Sequence, residues 1–104
     1  IELRVPWRPE FVVNLDLGYT HGDILAALID VAADYAIAAK IGRPVPTIDM
    51  RVDYHRPAFK GDLIVKAKVL KLGSNFCSGE AQVFDKKGKN LASGRGVYLS
   101  APLG

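Results

Sequence analysis

At 104 residues and 11.3 kDa the chain suits a single domain over residues 1–104, a size that buries only about 60 to 65% of the surface its unfolded form exposes. A composition of 49% hydrophobic and 24% charged residues argues against disorder and leaves apolar surface for self-association, and one cysteine, Cys77, excludes an intramolecular disulfide or a cysteine-rich metal site. The net charge of +3 hides an asymmetry: residues 1–59 carry six Lys/Arg against eight Asp/Glu, residues 60–104 eight against three. The basic second half suits a phosphate-bearing ligand, or simply solvated strand faces, and lacks the dense clusters of a nucleic-acid binder.

Along the chain, "IELRVPW" reads as a strand ended by Pro6, followed by an irregular stretch through Gly18. The opening Ile1, with no methionine before it, is what a trimmed short leader would leave. Thr20 is the expected N-cap of a long helix, with Asp23 three residues on as a capping-box variant, and the helix should run from His21 or Gly22 to Ile41. Gly42, Pro44 and Pro46 stop it. The apolar run Ile24–Ala39 is too short for a membrane span and carries two carboxylates, so no membrane partner is expected. A reducing, cytoplasmic setting fits the single cysteine.

Then "TIDMRVDYH" alternates with Ile48, Met50, Val52 and Tyr54 on one face, and "LIVKAKVLKL" with Leu63, Val65, Ala67 and Val69. Gly73-Ser74-Asn75 turns the chain into "FCSGEAQVF", "DKKGK" makes a hairpin, and "NLASGRGVYLS" closes the series. The order is strand, helix, then four strands read as an antiparallel meander: an α+β domain. The faces expected against the helix are small (Ala67, Gly79, Ala81, Ala92, Gly94 and Gly96), which lets a helix lie close to a curved sheet. The opposite faces keep Leu70, Leu72 and Phe76 among the charges, as contact with another sheet would require.

The chemistry concentrates in "THGDILAALIDVAADYAIAAK". Residues advance about 100° each along a helix, so Asp23, Asp30 and Asp34 fall within about 40° of one another. Alanines flank them, with Ile24, Leu28, Val31 and Tyr35 on the other side. The stripe is either the wet face of a core helix or a site that another backbone approaches closely. Gly22, at the helix start, offers backbone N–H groups and the positive dipole end to an oxyanion. Asp30 lies eight residues on, about 12 Å along the axis, too far to serve the same carbonyl. Two helices antiparallel about a two-fold axis would bring Asp30 of one chain to Gly22 of the other.

His21-Gly22, Asp30 in "LIDVA", "PTIDMRVDYHRPAFKGD" and "ASGRGVYL" together resemble the hotdog-fold acyl-CoA thioesterases, in particular the phenylacetate-degradation (PaaI-like) branch, from about Val5 to Leu99. The resemblance implies a five-stranded antiparallel sheet wrapped around one long central helix, in homodimers and often homotetramers. It implies hydrolysis of an aryl- or medium-chain acyl-CoA with no cofactor, coenzyme A being part of the substrate. Asp30 matches the nucleophile or general base, Gly22 the oxyanion amide, His21 its neighbour, Asn14 an upstream asparagine near the thioester, and Thr47 a hydroxyl that helps place water. In the family the carboxylate and hydroxyl come from one chain, the asparagine and glycine from its partner. Asp23 departs from the family's second glycine, and Asn14 sits in a loop of variable length.

Lys86, Lys87, Lys89 and Arg95 are candidates for the coenzyme A phosphates. His55 reads as structural and Cys77 as core. No Gly-x-Ser-x-Gly elbow and no histidine pair at zinc spacing is present, so neither a serine nucleophile nor a metal is expected. The rivals are a hotdog hydratase or dehydratase, which would pair a histidine with a carboxylate, and a non-catalytic acyl-CoA or nucleic-acid binding module.

Overall fold

The computed structural model describes residues 1–8, 20 and 22–102. It contains β1 (Glu2–Val5), α1 (Gly22–Ile41), β2 (Thr47–Tyr54), β3 (Leu63–Leu72), β4 (Phe76–Asp85) and β5 (Asn90–Leu99). All pairings are antiparallel and the sheet order is β1-β3-β4-β5-β2. Only β3, β4 and β5 therefore form the expected meander; β2 sits beside β5, and β1 takes the other edge beside β3. The reason lies just after the helix, where Leu99 N–H donates to Pro46 C=O at 2.9 Å and Arg43 donates to the Ser100 carbonyl. The chain leaving α1 is thereby tied to the end of β5 before β2 begins.

The helix ends where its sequence demands, since Gly42 adopts φ +85°. Its start at Gly22 is also as expected, but the expected Thr20 cap is not made. Among the described residues the buried Thr20 Oγ1 has no hydrogen-bond partner and so does not reach the first-turn amides; the Thr20 N–H donates instead to Ala58 C=O at 2.6 Å. His21, just before α1, lies outside the described residues.

The core forms where α1 crosses the sheet. Leu25, Ile29 and Ala32 pack on Leu63, Val65, Ala81, Val83 and Ala92, while Ala33 and Ile37 meet Val45, Cys77 and Tyr98. The small strand residues are required by this approach. A Cβ on Gly94 would stand 2.7 Å from the Arg51 carbonyl oxygen and 2.9 Å from Ile29 Cγ2. At Gly79 a Cβ would stand 3.3 Å from the Lys68 carbonyl oxygen and in contact with Ala33 Cβ at 3.4 Å. The helix faces need one correction: Val31 and Tyr35 are 42% and 51% exposed, so an apolar strip lies outward beside the carboxylates. The inward face is completed by alanines, because large side chains there would hold the helix off the sheet.

Candidate functional site

Asp30 is half-buried midway along α1, and two hydroxyls converge on its carboxylate. Thr47 Oγ1 donates to Oδ1 at 2.8 Å. Tyr98, whose side chain is fully buried, places its hydroxyl 3.1 Å from the same Oδ1 and 3.1 Å from the Asp30 main-chain oxygen, sharing its proton between them. Thr47 and Tyr98 are register partners across β2 and β5, next to a β-bulge between Thr47 and Asp49. A single rung of the sheet thus delivers both donors. Burial, reinforced by the Asp30 charge, pushes the Tyr98 phenol well above its ordinary pKa, so it remains protonated and a donor.

One helical turn on, Asp34 Oδ1 accepts the Val45 N–H at 3.1 Å and so anchors the segment that leads into Thr47. Burial pushes the Asp34 carboxyl above its usual range; the Val45 bond opposes this, and the Asp30 charge adds to it.

At the start of α1, Gly22 lines a hollow with Leu25, Tyr54, His55 and Pro57. Tyr54 Oη donates to Gly22 C=O at 2.8 Å, holding the first turn in place. The Gly22 N–H belongs to the set of first-turn amides that have no acceptor within the helix. His21 and Asn14 lie outside the described residues. His55 Nε2 is 3.0 Å from Ser93 Oγ, a sheet contact in keeping with a structural role, and Cys77 is buried in the core.

Lys86, Lys87 and Lys89 come together on the β4–β5 hairpin, lining a hollow of about 340 Å³ with Arg56, Lys60 and Phe59. Five cations face two carboxylates there, Asp62 and Asp85. Asp85 is occupied locally: its Oδ1 accepts the N–H groups of Lys87 and Lys89, each at 2.9 Å, which holds the carboxyl below its usual range. Arg56 and Pro57 line both this hollow and the one at Gly22, so the two adjoin. Arg95 is not brought to them. It lies on the outer face of the sheet, opposite Glu80 and Arg51 in register.

The sequence profile of the Thioesterase superfamily matches residues 17–92. The chain belongs to that superfamily. Its architecture is accordingly the hotdog fold, a five-stranded antiparallel sheet around one helix. A thioesterase-superfamily protein of known X-ray structure is 48% identical and superimposes with a TM-score of 0.92 over 95% of this chain and 75% of that one. A Halobacterium salinarum protein named provisionally as an esterase is 35% identical over 109 residues, covering 94% of this chain and 72% of its own. Human acyl-coenzyme A thioesterase 13 is 33% identical over 82 residues; the match covers 76% of this chain but only 59% of the human protein. Family and relatives together make this chain a thioester hydrolase.

Tyr98 and Tyr54 are the residues that sequence reasoning missed. Tyr98 was visible only as the one large side chain ending the small-residue face Ala92, Gly94, Gly96. Among the described residues no helix is long and apolar enough to cross a membrane.

Proposed function

We propose that this thioester hydrolase cleaves an aryl- or medium-chain acyl-CoA to the free acid and coenzyme A, at sites shared between two chains of a homodimer. The observation that carries the reading is the separation of its two halves on one helix. Asp30, held by Thr47, is eight residues from Gly22, about 12 Å along the axis. One substrate carbonyl cannot reach both in a single chain, so the partner's helix supplies the second half. The outward strip with exposed Val31 and Tyr35 supports a helix-to-helix contact. Leu72 and Phe76, 50% and 54% exposed on the sheet, offer a second surface for a tetramer.

In this arrangement the adjoining hollows of one chain take the coenzyme A half of the substrate. Lys86, Lys87 and Lys89 hold phosphates, and the thioester oxygen lies against the Gly22 N–H. His21 and Asn14 of that chain would complete the oxygen's surroundings. Asp30 of the other chain acts on the carbonyl carbon. As a general base it takes a proton from water, hydroxide adds, the Gly22 amide stabilises the oxyanion, and collapse expels the coenzyme A thiolate, which recovers the proton. As a nucleophile the carboxylate displaces the thiolate to form a mixed anhydride, which water then hydrolyses. Either course needs no metal or cofactor.

Release of free thiol from a panel of aryl and aliphatic acyl-CoA esters, by wild type and Asp30→Asn, tests the reading. Absence of hydrolysis for every ester, or equal hydrolysis by both proteins, overturns it. Mixing Asp30→Asn with Gly22→Pro subunits tests the shared site. Heterodimers should regain one intact site, and no recovery after proven subunit exchange rules sharing out.

A further inference from the structure

The geometry points to Tyr98 as a positioning residue for the reaction: with Thr47 it pins Oδ1 of Asp30, so that Oδ2 alone is presented to the substrate. The inference rests on the role of Asp30 proposed above. Among the described residues, both hydrogen bonds to the carboxylate end on Oδ1, from Thr47 at 2.8 Å and Tyr98 at 3.1 Å, and none ends on Oδ2. A carboxylate held through one oxygen by two donors of different strands has its plane and rotamer defined. That pre-orientation places a reacting oxygen without cost at the moment of reaction.

The sheet is built around this phenol. The position of a Cβ on Gly96 is 2.7 Å from Tyr98 Cε2 and 2.7 Å from its Oη, so the ring leans back along β5 over a residue that must be glycine. That lean carries the hydroxyl to the helix, where it also bonds the Asp30 main-chain oxygen and ties side chain and backbone together. A tyrosine kept merely for packing would not need its hydroxyl. The phenol's resistance to ionisation keeps it a donor wherever Asp30 is charged. The other charge acting on this cluster is Asp34 from the same helix.

The experiment compares wild type, Tyr98→Phe and Asp30→Asn on the best acyl-CoA ester, following kcat and KM separately. Tyr98→Phe removes one oxygen and keeps the ring. We expect kcat to fall about 10- to 100-fold, as for loss of a hydrogen bond to a charged group, with KM within about twofold. Unchanged kcat, or a loss of activity carried by KM and not by kcat, overturns the inference while Asp30→Asn remains inactive. Full activity in Asp30→Asn instead removes the underlying reading. Should Tyr98→Phe fail to fold, 3-fluorotyrosine at position 98 gives a second test. Its ¹⁹F resonance must shift when Asp30→Asn is introduced, and a resonance indifferent to that change overturns the inference.

Discussion

Replacing Gly22 separates what the helix start does for the fold from what it does for the reaction. A Cβ at this position would meet Cε1 and Cζ of Tyr54 at 3.4 Å and nothing nearer, an ordinary van der Waals contact with a side chain that is itself 54% exposed. Gly22→Ala should therefore fold normally. Alanine in a helix interior is favoured over glycine by about 1 kcal/mol, and less than that is expected at the first residue. At about 4–8 °C per kcal/mol for a domain of this size, the melting temperature should stay level or rise by a few degrees. Gly22→Pro is also compatible with the first helical position, where no intrahelical bond is lost, but it deletes the N–H. Loss of one oxyanion donor typically costs about 10² to 10³ in kcat. Thermal unfolding by circular dichroism and thiol release at saturating acyl-CoA, measured on the same preparations, make the test. A Gly22→Pro protein that melts like wild type and keeps wild-type kcat would refute the assignment of the oxyanion site to this amide.

Three further outcomes are expected. Gly94→Ala should destabilise by about 1–3 kcal/mol through overpacking against the Arg51 carbonyl and Ile29, read as a lower urea midpoint at unchanged m-value. Asp34 titrates above its unfolded value of 3.8, so the folded state binds the proton more tightly and stability falls as pH rises through the window just above 3.8. Asp34→Asn retains an acceptor for the Val45 N–H and should flatten that dependence in melts taken from pH 3 to about 6. Charge reversal of Lys86, Lys87 and Lys89 together should raise KM for acyl-CoA, with little change for the matching acyl-pantetheine ester, which lacks the nucleotide phosphates. An equal rise for both esters would remove the phosphate assignment.

Local rules explain why much of this molecule is legible before folding. The helix end at Ile41 follows from Gly42 and the prolines beyond it, and period-two alternation placed Leu63, Val65, Cys77, Ala81 and Val83 inward as found. The carboxylate stripe and the distance between Asp30 and Gly22 are consequences of helical pitch alone. The exposure of Val31 and Tyr35 escaped the same periodicity. A helix rich in alanine leaves its orientation to the sheet, whose glycines admit Ile29 and Ala33.

What the sequence could not decide is long-range register. Nothing in "TIDMRVDY" states that β2 pairs with β5 and not β3, because an alternating strand fits either neighbour equally well. Ties from Pro46 and Arg43 to the end of β5 make that choice, and with it set Thr47 opposite Tyr98. Tyr98 lies 68 residues from Asp30, and its aromatic ring reads only as core until the strand order brings its hydroxyl to the carboxylate. The sequence by itself determined the helix, the strand faces and a carboxylate too far from its own helix start. Tertiary structure alone decided that Tyr98 joins Thr47 on that carboxylate, because hydrogen-bond partners are set by where strands lie in space and not by their order along the chain.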